Sequence, residues 1–299
     1  MAEGESFHAI YLVLNDFTLF PASLRSVYPH ITGATVITSH DRDRYGRPVE
    51  PDGTVEAVLT RALDPDRKVN VIVCTEGSEA ALRNRAMAFA HPPAPAGRIH
   101  DREQGLAVMP PPDWFWIVDA DEIYDTDDVR RLKAFVREHP APAYWAGSYS
   151  YWRSWNWRIA ERSRRVVLLR PGRWFDHLRH PRLSFVARAV RKLRHLRLLP
   201  GRAETAFIGA QVPREVAVFH HGDWVGPRER IEAKLARSGH RDQFIDGWLE
   251  RVWDQWTPEM RDLHPFEPEM FPLAAHVPTA RLPAAIREHP WPDGWLEHD

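Results

Sequence analysis

Asp113-Trp114-Phe115-Trp116-Ile117-Val118-Asp119-Ala120-Asp121-Glu122 is an apolar run that stops abruptly in three carboxylates. Five apolar residues in succession, Trp114 to Val118, read as a strand buried on both faces. Acids at the carboxyl end of such a strand sit where open α/β sheets bind ligands. Carboxylates crowded together repel one another, so the cluster is hard to keep ionised without a cation. Hard oxygen ligands suit Mg²⁺ or Mn²⁺, which keep several waters and bridge to substrate phosphates. The stretch therefore reads as an Asp-x-Asp site for a divalent cation and a nucleotide diphosphate.

The flanking sequence places this strand fourth in an alternating series. Strand-like runs occur at Ala9 to Leu14, Ala34 to Thr38, Val69 to Cys74, Trp114 to Val118, Tyr144 to Tyr151, Val166 to Leu169 and Val216 to Phe219. Between them, Leu19 to Val27, Thr54 to Leu63 and Ser78 to Ala90 read as helices. Ser78 supplies an N-cap, and Leu82, Ala86 and Phe89 an apolar stripe at helical spacing. Asp125, Asp127 and Asp128 read as ordinary capping acids of a further helix that carries Leu132, Phe135 and Val136 and stops near Pro140. Alternation of this kind predicts a mostly parallel sheet with helices on both faces.

Composition narrows the function. With 40 Lys and Arg against 41 Asp and Glu, the net charge of −1 advertises no nucleic-acid partner. Cys74 is the single cysteine, which rules out an internal disulfide and points to a reducing, cytoplasmic setting. The acidic start, Met1 to Ser6, lacks the basic region of a signal peptide. No apolar run approaches the length of a spanning helix. The 13 Trp residues suit sugar rings but are expected mostly in the core. The aromatic stretch Tyr149 to Arg158 likewise reads as a packed strand in preference to a sugar platform. From Arg153 to Arg202 only Glu161 and Asp176 offset many basic residues, and Val186 to Leu199 forms a basic amphipathic segment. Such a region suits an anionic acceptor or peripheral contact with a lipid surface.

Four motifs in order resemble the GT-A glycosyltransferases, most closely family 2. They are the Asn15-Asp16 turn after the first strand, Ser23-Leu24-Arg25-Ser26-Val27, Arg83-Asn84-Arg85-Ala86, and Asp119-Ala120-Asp121-Glu122. The resemblance covers about residues 8 to 140. It implies a GT-A catalytic domain over residues 1–222, with its nucleotide-binding part at about 8–140 and its acceptor part at about 141–222, followed by a C-terminal helical extension over 223–299. It also implies a metal-dependent hexosyl-type transfer, with inversion, from a nucleotide-diphosphate sugar to a glycan or lipid-linked acceptor hydroxyl. Asp16 and Asp41 would lie near the base and ribose, with Asn15 beside them, and Arg83 close to the nucleotide. Asp119 would contact the ribose or a metal-bound water, and Asp121 the Mn²⁺ or Mg²⁺ itself. A downstream histidine often joins the metal in this family. Here His220 is preferred because it follows directly on a strand, with His221 beside it. No catalytic base is assigned; Glu161, Asp176 and Asp223 are the candidates. A phosphatase resembling the haloacid-dehalogenase enzymes, and a glycan binder without activity, are the alternatives.

Overall fold

A computed structural model of the chain describes residues 5–13, 18–38, 63–74, 78–90, 112–159, 164–177, 179–181, 192–193, 198, 209–237 and 241–297. Asn15, Asp16, Asp41 and Glu161 lie outside these residues, as do most of the helix expected from Thr54 to Leu63 and most of the basic segment Val186 to Leu199.

The mixed α/β architecture expected from the sequence is present. Strands β1 (Phe7–Val13), β2 (Gly33–Thr38), β3 (Val69–Val73) and β4 (Trp114–Asp119) are all parallel, in the order β3-β2-β1-β4. Every residue of β1 and β2 is buried, the condition of central strands covered on both faces. Helix α1 (Phe20–Val27) and helix α3 (Thr126–Glu138) cover one face, placing Phe20, Leu24, Val129 and Leu132 against Tyr11 and Trp116. Helix α2 (Glu79–Ala90) covers the other, packing Leu82, Ala86 and Met87 against Ile10, Ile37 and Ile117. The caps form as their sequences dictate: Asp125 accepts from the backbone N–H groups of Asp127 and Asp128, which stabilises the start of α3.

Beyond β4 the sheet continues through β7 (Arg164–Leu169), β6 (Ala143–Ile159), β11 (Val218–Val225) and β5 (Glu122–Tyr124), with parallel and antiparallel pairs mixed. The mixed, mainly parallel sheet expected from the sequence is thus present, its antiparallel pairs confined to the second half, where a two-residue strand, β10 (Ala210–Gln211), also pairs parallel with β6. Only Ala120 and Asp121 separate β4 from β5, yet three strands lie between them in the sheet. The second half therefore curls back on β4, and this return brings β11 against the acidic turn.

The C-terminal part carries helical segments, as expected, together with an additional strand. Strand β11 runs through Asp223 to Val225. After it come helix α4 (Arg228–Arg237), a six-residue π-helical turn (Leu249–Asp254), short 3₁₀ turns and the four-residue helix α5 (Ala284–Arg287). A strand, β12 (Ala274–His276), pairs antiparallel with the far end of β6. The segment is held by aromatic packing: Trp152 and Trp224 from the sheet meet Trp248, Trp253 and Phe271. The tryptophans behave mainly as core, with Trp114, Trp116, Trp152, Trp155 and Trp253 almost wholly buried. No helix among the described residues is long and apolar enough to cross a membrane.

Candidate functional site

The turn Asp119-Ala120-Asp121-Glu122 is fixed from below by α1. Ser23 Oγ donates to the carbonyls of Glu122 (2.5 Å) and Asp119 (3.3 Å), and Ser26 Oγ accepts from Tyr124 N–H at 3.1 Å. The Ser-Leu-x-Ser-Val sequence thus serves to clamp the acid-bearing turn. Asn84 exchanges two hydrogen bonds with the backbone of Phe175, donating at 2.9 Å and accepting at 2.8 Å. This ties α2 to the short strand β8 (Phe175–His177), which pairs with β9 (His180–Pro181).

The crowded acids are accompanied by positive charge, as the sequence reading required, but for Asp119 and Glu122 the fold supplies it from its own arginines. Asp119 accepts from Arg83 Nη2 at 2.7 Å and, on its other oxygen, from Arg179 Nη1 at 3.0 Å. Arg83 and Arg179 are both buried. Arg179 also contacts Glu122 and donates to the carbonyls of Ile117 (2.8 Å) and Val166 (2.6 Å). Arg165 Nη1 stands 3.6 Å from both Asp119 and Glu122 and is about a quarter exposed. Burial alone would raise the Asp119 carboxyl, but the guanidiniums of Arg179, Arg83 and Arg165 prevail and hold it well below the usual carboxylate range. Loss of water pushes fully buried Glu122 upward, with Arg179 opposing.

Asp121 belongs to a second group. β11 runs antiparallel to β5 with His221 opposite Glu122, and Gly222 N–H donates to the Asp121 carbonyl at 2.8 Å. One oxygen or nitrogen from each of Asp121, His221 and Asp223 falls within 4.8 Å of the others. His221 Nε2 faces Asp121 Oδ1 at 3.4 Å and Arg165 Nη1 at 3.4 Å, both long for hydrogen bonds. Its Nδ1 is buried with no hydrogen-bond partner among the described residues. Lys234 on α4 reaches over, contacting Asp223 and standing 3.9 Å from Asp121 Oδ2. Burial would raise the Asp121 carboxyl, yet His221 and Lys234 hold it well below its ordinary value.

The histidine preferred from the sequence is not the one beside the acids. Neighbouring residues of a strand face opposite ways. His221 faces Asp121, whereas buried His220 bonds through Nδ1 to Tyr151 Oη at 2.6 Å and stacks on that ring. Burial pulls its pKa down to about 3, so it is neutral at pH 7. His220 is a packing residue of the opposite face. Asp223, considered from the sequence as a base, joins Asp121 and His221; Asp176 lies exposed on β8, outside that group.

Sequence reasoning missed Arg165, Arg179 and Lys234. For Arg165 and Arg179 the one signal was the excess of basic residues from Arg153 to Arg202, read as suiting an anionic acceptor or a lipid surface; Lys234 lies outside that stretch.

Two carboxylates and an imidazole make a donor set suited to Mn²⁺ and tolerable for Mg²⁺. An ammonium drawn between the carboxylates marks the place as one that takes positive charge. Fold and site together define a mixed α/β protein with an acid- and histidine-lined centre at the end of its parallel strands. No protein-family description and no curated protein matches the chain. Among solved structures, S. aureus TarS 1–349 in complex with UDP aligns at 15% identity and a TM-score of 0.33, over 48% of this chain and 36% of that one. S. aureus TarS 1–349 without a named ligand aligns at 11% identity and a TM-score of 0.38, over 78% and 64%. A further structure of S. aureus TarS gives 12% and 0.39, over 79% and 39%. The chain thus spans little more than a third of the first of these structures, and likeness at this level assigns no residue a role.

Proposed function

We propose that the chain is a glycosyltransferase of GT-A type. It moves a sugar, hexosyl in kind and with inversion, from a nucleotide-diphosphate donor to an acceptor hydroxyl of a glycan or lipid-linked acceptor. The observation that carries this reading is the convergence of Asp121, His221 and Asp223 at the end of the fourth strand, beside the Asp119-x-Asp121 motif. These three residues would hold a divalent cation, and that cation supplies electrostatic relief for charge building on the departing diphosphate. The chain's own part is to orient and to neutralise. Arg83 and Arg179 keep Asp119 ionised and fixed in place. Arg165, partly exposed beside both acidic groups, would present a guanidinium to the phosphate oxygens of the donor. Asn15, Asp16 and Asp41 are assigned to the base and ribose on the family resemblance alone.

The phosphatase alternative requires Asp119 as a free nucleophile. Here both of its oxygens are engaged by arginines, which blunts a carboxylate as an attacking group.

The test is thermal stability with a panel of nucleoside diphosphates, with and without Mn²⁺. Ligand at a hundred times its Kd adds about 2.7 kcal/mol. A metal-dependent rise with one nucleotide supports the transferase and names the donor base. No rise with any nucleotide overturns it, and glycan binding in that case identifies a binder.

A further inference from the structure

Lys234 occupies an unusual place. Helix α4 begins three residues after β11 ends and carries Lys234 back over the site. Its ammonium contacts Asp223, stands 3.9 Å from Asp121 Oδ2 and lies 5.5 Å from the centre of the Trp224 ring. Two of the three residues that converge as candidate ligands are thus already engaged by a charge belonging to the protein. The Lys234 side chain is about a quarter exposed, on a flexible four-carbon stem, so a path to solvent is open to it. Asp119 and Glu122 are different: besides partly exposed Arg165 they have two buried cations, Arg83 and Arg179, of which Arg179 is also bound to two carbonyls. One acidic group therefore has fixed cations and the other a movable one.

We propose that Lys234 is a resident counter-cation of the site, holding the place of a divalent cation between Asp121 and Asp223 and leaving when the ion binds. The inference rests on the metal reading above and goes beyond it. Ion entry and lysine departure become one exchange. The exchange holds the acids together in the ion-free protein, and it lowers metal affinity by the strength of the contacts that must break.

Mn²⁺ alone is the probe, with the free ion followed by electron paramagnetic resonance in full-length wild type, Lys234→Met and Lys234→Arg. Lys234→Met binds Mn²⁺ about tenfold more tightly, in keeping with the loss of two partly exposed ion-pair contacts. Lys234→Arg, which keeps the charge, shows no such gain. In wild type, Mn²⁺ speeds modification of Lys234 by an amine-reactive reagent, as mapped by mass spectrometry; this measurement decides the matter if Lys234→Met does not fold. Equal or weaker Mn²⁺ binding by a folded Lys234→Met, or labelling of Lys234 unchanged or slowed by Mn²⁺, overturns the exchange and leaves the metal reading standing. Absence of Mn²⁺ binding in wild type and every variant overturns both.

Discussion

Asp119 and Asp121, one residue apart, face different cations: Asp119 is held by Arg83 at 2.7 Å and Arg179 at 3.0 Å, while Asp121 faces His221 at 3.4 Å and Lys234 at 3.9 Å. The first set is close; the second is looser. The two acids of one short motif therefore divide the work of holding the turn and binding a ligand.

Substitution should separate these parts. Asp121→Asn is expected to abolish Mn²⁺-dependent stabilisation by a nucleoside diphosphate while lowering stability by about 1–2 kcal/mol, because its contacts with His221 and Lys234 are long. Asp119→Asn leaves buried Arg83 with Glu79, at 3.3 Å, as its one carboxylate partner among the described residues and should cost more, about 2–3 kcal/mol. Urea unfolding with and without ligand checks both; an equal loss of metal response in the two variants would argue against the division.

Arg179→Met should be among the most damaging single changes. It strips the guanidinium from buried Glu122 and from Asp119 and leaves two carbonyls without their donor. Breaking a buried ion pair from one side costs about 3–5 kcal/mol. A loss below about 1 kcal/mol in denaturant titration would show that the pair is solvated.

Acid sensitivity has a defined source away from the site. His8 is buried on β1, bonded to Thr35 Oγ1 at 2.9 Å, and loss of water lowers its pKa from 6.5 to about 3. The unfolded chain takes up this proton below pH 6.5 and the folded chain does not, so the stabilisation is complete above pH 6.5. It falls by about 1.4 kcal/mol per pH unit between there and about pH 3. His8→Gln should flatten the slope of stability against pH by that amount between pH 6 and 4. An unchanged slope would mean that His8 is protonated in the folded protein.

Gly222 lies between His221 and Asp223, and a Cβ there would stand 2.6 Å from Trp155 Cη2 and 2.9 Å from Leu19 Cδ1. Both neighbours are fully buried, so neither has room to yield. Gly222→Ala is expected to cost about 1–3 kcal/mol and to weaken Mn²⁺ binding by displacing the residues on either side. Calorimetry of unfolding and of metal titration measures the two effects separately.

The sequence by itself determined the four parallel strands of the first half, the acids that end the fourth, and the helices Phe20–Val27, Glu79–Ala90 and Thr126–Glu138. Each is a local property: the run Trp114 to Val118 is apolar along its whole length, and Asp125 caps α3 from one residue before it. It also disclosed the motifs, though not that Ser23, Ser26 and Asn84 act as clamps, since their bonds cross 91 to 99 residues of chain. Only the tertiary structure decided which histidine meets the acids. His220 and His221 are equivalent as letters, and the register of β11 against β5 turns one to Asp121 and the other to Tyr151. It alone also brought Arg83, Arg165, Arg179 and Lys234 to the carboxylates. Local periodicity fixes which residues form a strand, but the partner of a charge is chosen by the path of the sheet, and here that path curls back through β11 onto the turn after β4.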